Sequence, residues 1–288
     1  MTVLSLHHRL DLKRWATWPA TLWTGLFFLL PLLIMLAVSF SARVGDRMLG
    51  AFTLDNYAAF FTQGGGVYVA ALANSIEVTL IVTLVSLAVA YPLAYILAYG
   101  VPARWQRLLL VVIVLPFWTS YVIRSYSWLL VLSEKGVINE VMMALGLFDQ
   151  PVGLGNTRGA TVLGFVHFFT MLLTLTIYAN LVQIKESYRK AAADLGASPL
   201  QVFLRITLPL SLPGVAVGAF LTFVLAIGDY ITPQILGGSR ELLLPQAIML
   251  QISRQANFEM ASAMSMVLML VVSAAFLLFA RHLRMERV

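Results

Sequence analysis

Charged side chains are scarce in this sequence. Of its 288 residues, 11% are charged and 60% are hydrophobic, and its mean hydropathy is +0.87. Because soluble domains carry about 25% charged residues, the composition excludes an ordinary soluble enzyme and indicates a membrane protein. Cysteine is absent, which excludes disulfides, a thiolate nucleophile and a cysteine-ligated metal.

Signatures of catalysis are lacking as well. The sequence has no Gly-x-x-x-x-Gly-Lys-Ser/Thr motif of a P-loop ATPase and no Gly-x-Ser-x-Gly motif of a serine hydrolase. Its single mid-chain histidine, His167, is not part of a metal-binding pattern. Gly228-Asp229 matches half of an intramembrane aspartyl-protease site, but no second aspartate lies in a long apolar run. We therefore expect no catalytic residue, no bound metal and no cofactor on this chain.

Long apolar runs dominate the sequence instead. A membrane-spanning helix needs about 20 apolar residues, and the runs of this length are Trp18–Phe40, Asn74–Tyr99, Leu108–Leu132, Ala160–Val182, Leu212–Leu236 and Met260–Ala280. The first run is too long for the apolar core of a signal peptide, so we interpret it as a retained helix. The predicted fold class is an all-α polytopic membrane protein with six transmembrane helices.

The distribution of Lys and Arg predicts the orientation. If the N-terminus is inside, the inner segments carry 12 basic and 4 acidic residues, whereas the outer segments carry 6 basic and 7 acidic residues. The positive-inside rule then places both termini in the cytoplasm, so the net charge of +6 reflects membrane topology and does not indicate nucleic acid. The predicted domains are a cytoplasmic segment (1–17), a transmembrane domain (18–281) and a cytoplasmic tail (282–288).

Three predicted outer loops, 41–73, 133–159 and 237–259, are long enough to contain short interfacial helices. The first contains three consecutive glycines from Gly64 to Gly66, which indicate a break in regular structure. Such loops serve either as docking surfaces or as simple connections, and the sequence leaves both interpretations open.

The longest predicted inner loop, 183–211, reads as two short helices around a turn. Helix-forming residues run from Ser187 to Leu195, and Gly196 follows where a helix-terminating glycine is expected. From its residues alone, this loop is either a projection that a soluble partner grips or an elbow lying on the bilayer.

The second helix of this loop has its own start signal. Ser198-Pro199-Leu200-Gln201 matches a capping box with proline at the first helical position. Apolar side chains follow on one helical face, and we expect Pro209 and Pro213 to end the helix before the fifth span.

The same loop carries a recognisable motif: Lys190, Ala191, Ala192, Asp194, Leu195, Gly196, Ala197 and Ser198, followed by Phe203 and Pro209. This pattern closely resembles the EAA loop of ABC importer permeases, except that Lys190 stands in place of the motif glutamate. The resemblance implies a type I ABC importer permease fold, and it implies that these residues dock onto an ATPase subunit and couple it to transport.

Several partners follow from this resemblance. They are a second homologous permease, two cytoplasmic ABC ATPase subunits that bind ATP and Mg²⁺, a periplasmic or extracellular solute-binding protein, and the lipid bilayer of the bacterial inner membrane. No nucleic acid is expected. A secondary carrier that works without an ATPase is the other class of transporter to consider, but residues 1–144 and 145–288 show no obvious internal repeat.

Further motifs look like those of the spermidine/putrescine subgroup of these permeases. They are Leu115-Pro116-Phe117-Trp118, Ile123-Arg124-Ser125-Tyr126 and Gly228-Asp229-Tyr230-Ile231-Thr232-Pro233. This resemblance implies a polyamine cargo. Importers of ferric iron, thiamine, phosphonates, opines or amino-acid derivatives share versions of these motifs, so the cargo stays open.

Only three charged residues fall inside the predicted spans: Glu77, Arg124 and Asp229. Ionisable residues in spans usually face protein or a water-filled cavity. Because the second span runs inward and the third and fifth spans run outward, we expect all three charges in one layer toward the outer leaflet, where a vestibule for incoming cargo is expected. Arg124 would repel a polycation, so we interpret it as a gate or as a structural partner of Asp229.

Aromatic side chains are predicted in the same layer. Tyr121 and Trp128 share a helical face with Arg124, and Tyr230 follows Asp229. A linear polyammonium cargo needs carboxylates for its charges and ring faces for cation–π contact, although Trp and Tyr also form interfacial belts. The predicted cargo pathway comprises Asp229, Glu77, Trp128, Tyr121, Tyr230 and Arg124.

Overall fold

The computed structural model describes residues 17–43, 50–238 and 241–284, and these are almost entirely helical. The helices are α1 (Thr17–Ser39), α2 (Asp55–Thr62), α3 (Val67–Gly100), α4 (Ala103–Trp118), α5 (Tyr121–Val131), α6 (Val137–Ala144), α7 (Arg158–Leu181), α8 (Glu186–Asp194), α9 (Pro199–Ile227), α10 (Ile231–Leu236), α11 (Leu244–Gln255) and α12 (Phe258–Arg284).

Five of these helices are long and apolar enough to cross a membrane: α1, α3, α7, α9 and α12. α4 and α5 form a sixth candidate span if they are counted together as one broken span. The two helices meet at a bend of 92°. The predicted all-α polytopic class is therefore confirmed. The cytoplasmic placement of both termini stays a prediction, and residues 1–16 and 285–288 lie outside the described part of the chain.

The predicted third span, Leu108–Leu132, corresponds to α4 and α5 together, and the chain breaks between these two helices. Pro116 lies in a terminal 3-10 turn and has no backbone N–H to donate. Thr119 is extended, with ψ at 145°, and its hydroxyl donates to the carbonyl oxygen of Pro116 at 2.7 Å. α5 therefore runs in a different direction from α4. The depth of its residues in the membrane cannot be read from their positions along one straight helix.

The predicted fifth span, Leu212–Leu236, is also wrong in both boundaries. α9 begins at Pro199 and runs through Pro209 and Pro213 to Ile227. A π-helical turn at Phe203–Thr207 widens the hydrogen-bond register just before the first of these prolines, and such turns let spans accommodate proline. The second helix of the predicted inner loop and the fifth span are consequently one helix.

Short helices do occur in the three predicted outer loops, where they are α2, α6 and α11. Gly64, Gly65 and Gly66 all have positive φ, from 61° to 84°, and separate α2 from α3. The buried amide of Asn139 holds the loop after α6, because it donates to the carbonyl of Val152 at 2.8 Å and accepts from its N–H at 2.9 Å.

The described residues divide into two compact units. One comprises residues up to Val67 together with Ile248–Met269, and the other comprises Tyr68–Ala247 with the residues from Leu270 onward. In the first unit, the Tyr57 hydroxyl lies 2.8 Å from Ser39 Oγ at the end of α1. In the second unit, α7 is the central helix, and its fully buried side chains include Phe165, Phe169, Leu173, Ile177 and Leu181.

The close packing of α7 and α9 requires a glycine at position 218. A Cβ added there would lie 2.5 Å from Thr176 Oγ1 and 2.9 Å from Leu173 Cδ2. We expect Gly218→Leu to destabilise the protein by about 1–3 kcal/mol, the usual cost of overpacking a core, measured as a lower Tm in detergent. Gly25→Leu in α1 is the matched control, because a Cβ at Gly25 meets nothing within 4 Å. Equal Tm values for the two variants would contradict the prediction.

Candidate functional site

In the loop between α7 and α9, the first helix ends as the sequence predicts. α8 stops at Asp194, and Gly196 adopts a left-handed φ of 81°. The N–H of Ala197 donates to the carbonyl of Ala192 at 3.0 Å, and the N–H of Gly196 donates to that of Ala193 at 2.9 Å. This pair of bonds is a Schellman motif, and it satisfies carbonyls that the helix end leaves free.

The predicted capping box at the start of α9 is also confirmed. The N–H of Ser198 donates to Gln201 Oε1 at 2.8 Å, and the N–H of Gln201 donates to Ser198 Oγ at 3.3 Å. Pro199 occupies the first helical position. The turn between α8 and α9 is therefore defined by local hydrogen bonds on both sides.

The outer face of this turn is apolar and exposed. Leu195 is 89% exposed, and Leu200 and Leu204 are at least half exposed. α8 contains no buried residue. Lys190, at the position of the motif glutamate, pairs with Glu186 one turn earlier at 3.1 Å, and an exposed pair of this kind contributes little to stability. The ammonium group of Lys190 is thus paired with a carboxylate of its own helix.

Two motif residues lie away from this exposed turn. Phe203 opens the π-helical turn of α9 and packs against Tyr91 and Tyr95 of α3. Pro209 is exposed in the body of α9. Phe203 is therefore the motif residue that packs against α3, whereas Pro209 lies on the exposed side of α9.

The structure places Asp229 in the break between α9 and α10 instead of within a continuous span. Its carboxylate accepts from the N–H of Ile231 at 2.8 Å, from the hydroxyl of Thr232 at 2.8 Å and from the hydroxyl of Tyr121. These three donors are neutral, and Asp229 forms no ion pair within residues 17–43, 50–238 and 241–284. Its negative charge is hydrogen-bonded but is not neutralised by a cation in contact with it.

Arg124 and Asp229 form no direct ion pair, although both contact Tyr121. Arg124 is buried, and its Nη1 donates to the carbonyl of Pro116 at 3.2 Å. Its guanidinium lies over the rings of Tyr121 and Phe168, at 5.0 and 4.6 Å from their centroids. The helix break provides this arrangement, since a proline turn exposes a carbonyl that Arg124 can reach. Arg124 therefore links α5 to the end of α4.

Trp128 lies next to the same break and pairs with a histidine that sequence reasoning left unassigned. Its indole N–H donates to Nδ1 of His167 in α7 at 2.9 Å. A cavity of about 350 Å³ opens here. Its polar and aromatic lining residues are Thr119, Arg124, Ser127, Trp128 and His167.

Glu77 belongs to a different cluster from Asp229. It lies exposed on α3 and pairs with Arg158, the first residue of α7, at 2.7 Å. Arg158 also contacts Glu241 at 3.5 Å, and the N–H of Leu244 donates to Ser75 Oγ of α3 at 2.8 Å. The chain before α11 is thus attached to α3 and α7.

The structure consequently brings together three of the six predicted pathway residues, Asp229, Tyr121 and Arg124, with Trp128 on the wall of the adjacent cavity. Tyr230 follows Asp229 in the chain and is half-buried. Glu77 lies in the ion-pair cluster with Arg158. Sequence reasoning missed Arg158 and Glu241, since both were counted as ordinary charges of outer loops.

The family of binding-protein-dependent transport system inner membrane components matches residues 90–285. The chain belongs to this family. The match includes the loop between α7 and α9 and the whole Asp229 cluster. Family membership decides for an ABC importer permease over a secondary carrier, and it makes the chain a transport subunit of the inner membrane and not an enzyme.

Relatives of this permease extend over nearly its whole length. The spermidine/putrescine transport system permease protein PotB of Salmonella typhimurium (strain LT2) is 33% identical over 264 residues, which cover 91% of each chain. PotB of Escherichia coli (strain K12) is also 33% identical, over 91% of this chain and 94% of its own. The inner membrane ABC transporter permease protein YdcU of Escherichia coli is 33% identical over 60% of this chain and 58% of its own.

A solved structure has the same fold as this permease. It is a chain of a bacterial ABC transporter involved in the import of the acidic polysaccharide alginate, with a TM-score of 0.76 over 99% of both chains and 17% identity. At this identity the likeness concerns the fold alone.

Proposed function

We propose that this permease imports a polyamine of the spermidine/putrescine class, powered by ATP that two cytoplasmic ABC ATPase subunits hydrolyse. The observation that carries the cargo assignment is the 33% identity to polyamine permeases over 91% of the chain. In this proposal ATP and Mg²⁺ bind to the ATPase subunits, a second homologous permease completes the pathway, and an external solute-binding protein delivers the cargo.

The cluster around Asp229 supports a cationic cargo. A carboxylate has about four acceptor positions, and three neutral donors occupy part of them. An ammonium group can take the remaining position, because no cation pairs with Asp229 among the described residues. The ring of Trp128, on the wall of the adjacent cavity, supplies a face for cation–π contact with the rest of a polyamine.

The turn between α8 and α9 supports docking onto an ATPase subunit. Its exposed leucines, Leu195, Leu200 and Leu204, offer an apolar ridge, and the Schellman motif and the capping box hold the turn in one shape. A preformed apolar ridge loses little conformational entropy when it binds. Lys190 in place of glutamate makes the rim of this surface more basic than in the family motif.

The test is transport in liposomes that contain the permease, its partner permease and its ATPase, with the binding protein outside and ATP inside. We expect ATP-dependent uptake of radiolabelled spermidine or putrescine, and no uptake of thiamine, ferric citrate or a phosphonate. Uptake of one of these in place of polyamines would overturn the cargo assignment. Polyamine uptake by the permeases without the ATPase would overturn the coupling to ATP.

A further inference from the structure

Three tyrosines form a row along one face of α3, at the end of the helix near the α8–α9 turn. They are Tyr91, Tyr95 and Tyr99, spaced by four residues, so that their rings lie one above another. The rings of Tyr95 and Tyr99 are in edge-to-face contact at 5.1 Å. This tyrosine row is not part of the family motif in the loop.

The first two tyrosines of the row contact α9. The ring of Phe203 makes edge contacts with Tyr91 at 5.8 Å and with Tyr95 at 5.5 Å. The hydroxyl of Tyr91 lies 2.8 Å from Oγ of Ser211, which also belongs to α9. Phe203 belongs to the π-helical turn of α9, so the row touches α9 where its hydrogen-bond register is irregular.

The last tyrosine of the row contacts α8. The guanidinium carbon of Arg189 lies 3.8 Å above the centroid of the Tyr99 ring. Nε of Arg189 is buried and has no hydrogen-bond partner in the described part of the chain. The guanidinium is therefore positioned here by its contact with the Tyr99 ring face and not by a hydrogen bond from Nε. The Tyr99 hydroxyl donates to the carbonyl of Leu181, the last residue of α7, at 2.9 Å.

The space beside this contact is not tightly packed. A cavity of about 420 Å³ is lined by Tyr95 of α3, by Glu186, Arg189 and Lys190 of α8, and by Pro199 and Val202 of α9. Because α8 has no buried residue, a displacement of α8 reaches α3 through a small number of side-chain contacts. The stacked pair of Arg189 and Tyr99 is one that crosses from α8 to α3.

We infer that Arg189 and Tyr99 are positioning residues for energy coupling, in which the guanidinium on the ring passes motion of the ATPase-docking turn to α3. The inference rests on the proposed function, because it takes the α8–α9 turn as the ATPase contact. α3 continues from this contact through a π-helical turn at Ile96–Gly100 and past Pro92 to Glu77, which pairs with Arg158. In this inference a shift of α8 reaches the ion-pair cluster of Glu77 and Arg158 through α3.

The test is a double-mutant cycle in the complete transporter, with the ratio of cargo-stimulated to basal ATPase activity as the readout. Arg189→Gln and Tyr99→Leu are each expected to lower this ratio about three- to tenfold, the range of a partly desolvated cation–π contact. The double variant should be no worse than either single variant, since both remove the same contact. ATPase bound per permease should stay at the wild-type level.

Conservative variants separate coupling from structure. Tyr99→Phe keeps the ring face and should retain the wild-type ratio, whereas Arg189→Lys should be intermediate, because an ammonium does not stack as a guanidinium does. Additive effects of the two single variants, or a Tyr99→Phe defect equal to that of Tyr99→Leu, would overturn the inference. If Tyr99→Leu fails to fold, the inference is tested by Arg189→Lys and Arg189→Gln alone, because these substitutions lie on an exposed helix.

Failure of the inference can be told from failure of the proposed function. If the wild-type permease binds no ATPase, or its ATPase activity does not respond to cargo-loaded binding protein, the proposed function is wrong and the inference falls with it. If the wild type responds and Arg189→Gln responds equally well, only the inference is wrong.

Discussion

Replacing Gly196 with valine is expected to reduce cargo-stimulated ATPase activity about tenfold or more. The left-handed backbone of Gly196, with φ at 81°, costs an L-residue roughly 1–2 kcal/mol, and a β-branched side chain costs more. A Cβ at this position meets nothing within 4 Å, so the effect comes from the backbone and not from a clash. The strain disfavours the turn between α8 and α9 that we propose as the ATPase contact.

Gly146→Val is the matched control for this prediction. Gly146 ends α6 with φ at 69° and also has open space around its Cβ position. Its Schellman bonds have the same pattern as those of Gly196, with the N–H of Leu147 donating to the carbonyl of Met142 at 2.9 Å. Both variants therefore carry the same backbone penalty, but only Gly196→Val should lose ATPase from the purified permease. Equal retention of the ATPase by both variants would remove the turn from the coupling surface.

Asp229→Asn is expected to slow polyamine uptake about tenfold or more at saturating binding protein. A hydrogen bond to a charged group contributes about 1.5–3 kcal/mol, and each 1.4 kcal/mol corresponds to about tenfold. Asparagine has nearly the same shape and keeps an oxygen that can accept from the N–H of Ile231. The variant thus removes the charge that we propose faces the cargo and leaves the start of α10 in place.

Two further variants test whether the charge of Asp229 matters through cargo or through folding. Glu134→Gln removes an exposed carboxylate elsewhere and should leave uptake unchanged. Tyr121→Phe removes one donor to Asp229 but keeps its charge, so its effect on uptake should be smaller than that of Asp229→Asn. If Asp229→Asn transports normally, or if it slows uptake only in proportion to a lower Tm, Asp229 is structural and leaves the proposed pathway.

Features that depend on neighbours in the chain were predictable. Runs of apolar residues located the spans that became α1, α3, α7 and α12, because the length of an apolar run is a local property. The ends of α8 and α9 at the turn followed from Gly196 and from the Ser198–Gln201 box, since left-handed φ and capping involve only a few consecutive residues.

The prediction failed at Pro209 and Pro213, which were expected to end a helix. Pro116 lies at a real break, whereas Pro209 and Pro213 lie inside α9. The difference comes from the surroundings: the carbonyl beside the break is held by Arg124, and the π-helical turn before Pro209 takes up the strain. A single proline in the sequence does not report which of these compensations is available.

The chain's own order of residues was enough to predict a polytopic helical membrane protein with a capped turn before its fifth span, because hydropathy and turn chemistry act over short distances. The partners of its few charges were decided only in three dimensions. Glu77 pairs with Arg158, Arg124 donates to the carbonyl of Pro116, and Arg189 stacks on Tyr99. A hydropathy pattern does not predict any of these three contacts. In an apolar medium a charge takes whichever partner the packed helices bring within reach, and that choice is made by tertiary structure.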